Sequence, residues 1–300
     1  VTWLGNISSD WTDPLNWDTG VPTSVDEVLI DTTGNEPVIS SNVTIGDLLV
    51  EAGHTLTITG TNSLTVTASL DTSTGTITCT GAAQIIVGGN LSVGALNAGT
   101  STFILNGTTA QYAGAALSPY YNFTISNTGD NNLSGLTSDD AVFISGWFKF
   151  TGTLSVTDGE LVMASLAAET SGNVYIGAQG RFRVSSILFW NFNPVGTSTI
   201  QVDTQQSCDL GHITVSSGAL NIEGNVVCTS MDINAGVTVT MLSNSSLTFT
   251  GDGTPLTGTG TLDCSTNTPN TIQYTSNADT DIIAAGPVSA YYRLILGEAY

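Results

Sequence analysis

Carboxylates, thiols, imidazoles and tryptophans are the side chains of this sequence that could do chemistry, and their spacing limits what that chemistry is. Asp10, Asp13 and Asp18 gather near the start, and Asn277, Asp279 and Asp281 alternate in SNADTDI. Both sets offer oxygen ligands to calcium, the one cofactor the sequence leaves open. Neither reproduces the long loop with a central glycine and a terminal glutamate that marks a strong calcium motif, and turns favour Asp and Asn because their side chains bond the local backbone. Cys208 and Cys228 are separated by about one turn of a coil of ~20 residues per turn. On successive turns they would lie within reach of a disulfide, against the alternative of two stacked buried thiols. Cys79 and Cys264 have no evident partner. Four cysteines without Cys-x-x-Cys spacing and only two histidines argue against zinc. His54 and His212 are remote from each other and from any Gly-x-Ser-x-Gly elbow, so both read as structural. Asp139 and Asp140 are neighbours and on a strand would face opposite ways, which rules out a glycosidase pair. No set of residues has catalytic spacing, and the expectation is a protein that is not an enzyme.

The tryptophans suggest binding or packing. Trp147 and Trp190, with the pairs Tyr120-Tyr121 and Tyr291-Tyr292, could stack on sugar rings if exposed in a groove. Trp11 and Trp17 sit in the turn-rich stretch SDWTDPLNWDTGVP. With Trp3 and Pro22 they read as a cap, since large rings flanked by turn residues can plug the end of an apolar core.

The elements that must position these residues are strands. From residue 43 the chain runs in short period-two segments such as VTIGDLLV, HTLTIT, SLTVTAS and STFILNG, separated by Gly, Asn, Ser or Asp. No segment of helical length carries apolar residues at three-and-four spacing, so the chain is predicted to be all-β. AGAALSPYYNFTIS (113–126) matches AAGPVSAYYRLILG (284–297) without a gap. Units this small cannot each close a core, and stacking them gives a parallel β-helix or β-solenoid with an N-terminal cap. The expected division is a cap over residues 1–40 and solenoid repeats over 41–300, divisible into units of about 41–128 and 129–300. At about 20 to 25 residues per turn the chain makes roughly 12 to 14 turns.

Twenty-five acids face only Lys149, Arg181, Arg183 and Arg293, giving a net charge of -21. That excludes nucleic acid and anionic membrane surfaces as partners, because both are bound through lysine and arginine. A surface of Thr, Ser, Asn and Gly fits an extracellular or cell-surface location. No apolar run is long enough for a transmembrane segment, and Val1 in place of an initiator methionine suggests a secretion signal already removed or left out of this chain.

Residues 1–30 place Trp3 and Gly5, Asp10 and Trp11, Asn16 and Trp17, Gly20 and Pro22, then Asp26, Val28 and Ile30 in a fixed order. This order resembles the N-terminal segment of large secreted β-solenoid repeat proteins of Bacteroidetes and other environmental bacteria. AGTSTFILNGTTAQYAG (98–114) with YYNFTIS (120–126) is similar to a module of the same proteins. The resemblance implies an adhesive or structural solenoid on the outside of a cell, belonging to a longer surface protein or a self-assembling filament or layer. Its partners would be copies of itself or further repeats of the same chain, with surface glycans as candidate ligands. The rival readings are a carbohydrate-binding adhesin and, further off, a β-helix polysaccharide lyase or hydrolase, for which four bases are few.

Overall fold

The computed structural model describes all residues except 32–33, 115–118, 129–140, 146–147, 164–166, 185–188, 204–208, 277–287, 289 and 298–300. The described secondary structure is almost entirely β-strand; the exception is one short 3-10 turn, Pro14–Asn16. All registered strand pairs are parallel and join segments about one turn apart, so the chain is a β-solenoid. It divides into two compact units, Val1–Gly152 and Thr153–Tyr300.

In the first unit each turn contributes to three columns of strands. Glu27–Ile30 stacks under Asp47–Val50, and that strand under the first part of Leu70–Thr80. Val38–Ile39 pairs with Thr55–Thr59, which pairs with the second part of the same long strand. Val43–Ile45, Ser63–Val66, Gln84–Val87, Thr102–Leu105 and Asn122–Ser126 make the third column. Alternation sends one side chain in two to the interior. The result is rows of like residues on successive turns: Val28, Leu48, Leu70, Leu91 and Ala113 in one column, and Val43, Leu64, Ile85, Phe103 and Phe123 in another, all buried.

The second unit has the same three-column plan. Leu154, Val174, Ile200, Ile222 and Met241 form one interior row. Trp190, Ile213, Met231 and Leu256 form another. The coil begins within the segment assigned to the cap, since Glu27–Ile30 and Val38–Ile39 already pair into the columns. Among the described residues the coil makes about 10 turns, against the 12 to 14 expected. Residues 1–26 make none of the registered columns, and the step is uneven. Thr102 pairs back with Gln84 over a short step, whereas Gln111 pairs forward with Val142 over a much longer one.

Polar side chains hold adjacent turns together. Asn42 accepts from the Ser63 amide (3.0 Å), Asp47 from Ser69 (2.9 Å), Asn90 from Tyr112 (2.9 Å) and Asn173 from Thr199 (2.8 Å). In each case a carbonyl or carboxylate oxygen on one turn takes a backbone N–H of the next and so satisfies that donor.

Candidate functional site

The cap is built from the first strand upward. Trp3 donates its amide to Leu29, and Leu29 returns a bond to Val1, so the N-terminal segment lies as a partial turn beside Glu27–Ile30. Val38 donates to Ser9 in the same manner. Three tryptophans close over this end, all buried. Trp3 and Trp11 stack at 6.2 Å, and Trp17 meets both edge-on at 4.8 and 4.7 Å. Offset and edge contacts of this kind suit the ring quadrupole. Trp3 Nε1–H donates to the Asn35 carbonyl (2.6 Å) and Trp17 Nε1–H to the Trp11 carbonyl (2.8 Å), while Trp11 Nε1–H is buried without an acceptor. Pro22 is buried beside them in sequence. Asn16 is the residue whose role the sequence reading missed. Fully buried, it accepts from the Ile7 and Ser8 amides and donates to Ser8 Oγ and the Asp10 carbonyl, fastening the loop that carries Trp11. The Asn-Trp pairing of the N-terminal motif was the available signal. Gly5 sits at φ +57°, and a Cβ there would lie 2.3 Å from the Asn35 carbonyl oxygen, so a side chain is excluded.

The three aspartates of this segment serve separate turns. Asp10 accepts from the Thr12 amide and hydroxyl, Asp13 from the Leu15 amide at the 3-10 turn, and Asp18 from the Thr2 amide. Those amide bonds hold the Asp10 and Asp18 carboxyls below their usual range. Among the described residues no group of His, Cys, Asp or Glu could hold a metal ion. Asn277, Asp279 and Asp281 lie outside the described residues.

Cys228 is a free, buried thiol, and Cys208, the partner expected for it, lies outside the described residues. Burial and the nearby Asp209 charge push the Cys228 thiol well above its usual range. Burial likewise raises Cys79 to about 11 and Cys264 to about 12, so these are inert core thiols. His54 Nδ1 lies 3.2 Å from Glu36, and His212 Nδ1 lies 2.7 Å from Ser230 Oγ.

Trp190 is not a sugar platform. In the strand Phe189–Phe192 the alternation turns Trp190 and Phe192 inward and leaves Phe189 52% exposed, stacked on His212 at 4.9 Å. Trp147 lies outside the described residues. The tyrosine pairs divide similarly: Tyr120 is buried among Phe103, Phe123 and Phe148, whereas Tyr292 is 57% exposed. Tyr292 and Arg293 line an open groove of about 580 Å³ on the second unit, together with Asn225, Asn244, Ser246, Asn270 and Thr271.

Residues 2–176 match a family described as a domain of unknown function, DUF8693. The match covers the cap and the whole of the first unit's remaining turns, and it enters the second unit. No curated protein and no solved structure matches the chain. No helix among the described residues is long and apolar enough to cross a membrane.

Proposed function

Starting from the fact that this chain belongs to the DUF8693 family, whose description states no activity, we propose that it is a structural β-solenoid. In this reading it works outside the cell as part of a longer surface protein or as a subunit of a filament or layer. One observation carries the proposal. The two tyrosine-pair repeats have the same apolar pattern but opposite burial. In the first unit Phe123 and Ile125 are 0% exposed, whereas Leu294 and Leu296, which occupy the matching positions, are 36% and 58% exposed. Leu294–Leu296 pairs on one side with Asn270–Tyr274, and among the described residues no strand lies on its other side. Unpaired backbone and apolar side chains on one strand edge are a surface that a strand of a second copy can cover. The side-chain bonds between turns support a structural role, since polar groups of the outer faces are spent on holding the coil together.

The test is self-association of the 300-residue chain. Sedimentation velocity should show concentration-dependent oligomers that dissolve in the Leu294→Lys, Leu296→Lys double variant, whose folding is confirmed by circular dichroism. A wild-type protein that stays monomeric at high concentration refutes the proposal. For the location, brief protease treatment of intact producing cells should release its peptides; full protection until lysis contradicts an extracellular site.

A further inference from the structure

We propose that the groove formed by Asn225, Ser246, Asn270, Thr271, Tyr292 and Arg293 is a binding site for an uncharged oligosaccharide. It goes beyond the scaffold reading, because a scaffold needs no ligand and stands whether or not this groove is filled.

The groove follows from register. Asn225 pairs with Ser246, Ser246 with Thr271, and the Ile272 amide donates to the Arg293 carbonyl, so four successive turns place an amide, two hydroxyls and a guanidinium in one outward row. Tyr292 adds a half-exposed ring at the groove's edge. Such a wall offers an aromatic face to the apolar side of a pyranose, with groups that both donate and accept for its hydroxyls. Ser246 Oγ donates to Asn225 Oδ1 (2.8 Å), which leaves the Asn225 amide hydrogens for other acceptors.

Asn270 precedes Thr271 in the strand and alternates with it: its side chain is almost fully buried on the inward face, where Nδ2 donates to the Asn267 carbonyl (2.7 Å), so it supports the wall from beneath. The uncharged class is favoured because the lining holds one cation against several amides and hydroxyls, and a chain of net charge -21 repels polyanions.

The probes are cellohexaose, laminarihexaose, xylohexaose and mannohexaose, with hexagalacturonate and hexamannuronate as charged counterparts, titrated by calorimetry against the whole chain. At least one neutral hexasaccharide should bind. Tyr292→Ala and Arg293→Met should each weaken it by about 10-fold or more, with unchanged melting, while Phe189→Ala, on another column, leaves it intact. The inference is overturned if no neutral probe binds, if only the charged probes bind, or if the two variants bind as the wild type does. Oligomer formation by the wild-type chain is scored separately, so the scaffold proposal and this one fail independently.

Discussion

Replacing Trp11 with alanine tests the cap through one atom. A tryptophan buries about 150–250 Å², which at ~25 cal/mol per Å² amounts to about 4–6 kcal/mol, and Trp→Ala changes in packed cores cost about 3–5 kcal/mol. Trp11 should fall at the low end of that range. Its Nε1–H is buried without an acceptor, a state that itself costs about 1–3 kcal/mol, and truncation removes the burden along with the ring. Trp3 should fall at the high end, because its Nε1–H bond to Asn35 is made and would be lost. The expected losses are therefore ~3 kcal/mol for Trp11→Ala and ~4–5 kcal/mol for Trp3→Ala. Trp11→Phe should cost ~1 kcal/mol or less, whereas Trp17→Phe, which gives up the bond to the Trp11 carbonyl, should cost ~1–2 kcal/mol. Urea denaturation followed by far-ultraviolet circular dichroism gives the free energies. Amide exchange at Leu29 and Val38 reports the cap locally, since both donate to residues of the N-terminal segment. Unchanged stability and unchanged protection in Trp11→Ala would refute the cap, and a greater loss for Trp11 than for Trp3 would refute the argument from the ring nitrogens.

Gly224→Ala should destabilise the second unit by ~2 kcal/mol or more, because φ is +76° and a Cβ would lie 2.0 Å from the Val202 carbonyl oxygen; a melting curve matching the wild type contradicts this. Cys79, Cys228 and Cys264 should resist a thiol reagent until the chain unfolds. Their raised pKa values also set an alkaline limit. An unfolded thiol ionises near 9.0 while the folded one keeps its proton, so the unfolded state binds fewer protons and stability falls as pH rises from 9 through about 11 for Cys79 and about 12 for Cys264. Urea midpoints at pH 8 and pH 10.5 check the sign. Asp10, Asp18, Asp26 and Asp263 act at the other end. Their lowered pKa values contribute stability above 3.8 that is lost as pH falls below it, and a midpoint that holds or rises on acidification would contradict those bonds.

Period-two runs such as HTLTIT and SLTVTAS were legible because alternation is local: each strand decides its own inward face. The interior rows of the first unit follow directly from them. Register was less legible, because it depends on how much chain each corner takes up. Asp209 pairs with Val227 over 18 residues, whereas Gln111 pairs with Val142 over 31, a range that a fixed repeat length does not anticipate. The burial of Trp190 was, by contrast, legible within its own strand. FWNF contains three rings, and parity decides which are buried; Asn191 is the single mark of the outward face, which turns Trp190 and Phe192 inward. The cap was readable from Trp3, Trp11 and Trp17, whereas the buried Asn16 clamp was visible only as a motif letter. Of the groove of Tyr292 and Arg293 only the tyrosine was readable, since the wall is assembled from four turns whose members are scattered from Asn225 to Arg293 in sequence.

The in-register columns also set which length changes the gene can tolerate. A turn touches chiefly the turns before and after it, so inserting or deleting one whole turn leaves every neighbouring row with an apolar residue to meet. Losing a single residue inside a strand, such as Ile85 of Gln84–Val87, instead reverses inside and outside for the rest of that strand, driving Ile86 inward and Val87 outward. Natural variants of this chain should therefore differ in length by steps of a full turn, such as the stretch from Glu27 to its partner Asp47 or from Thr197 to its partner Ala219, and single-residue gaps should collect at the corners between columns.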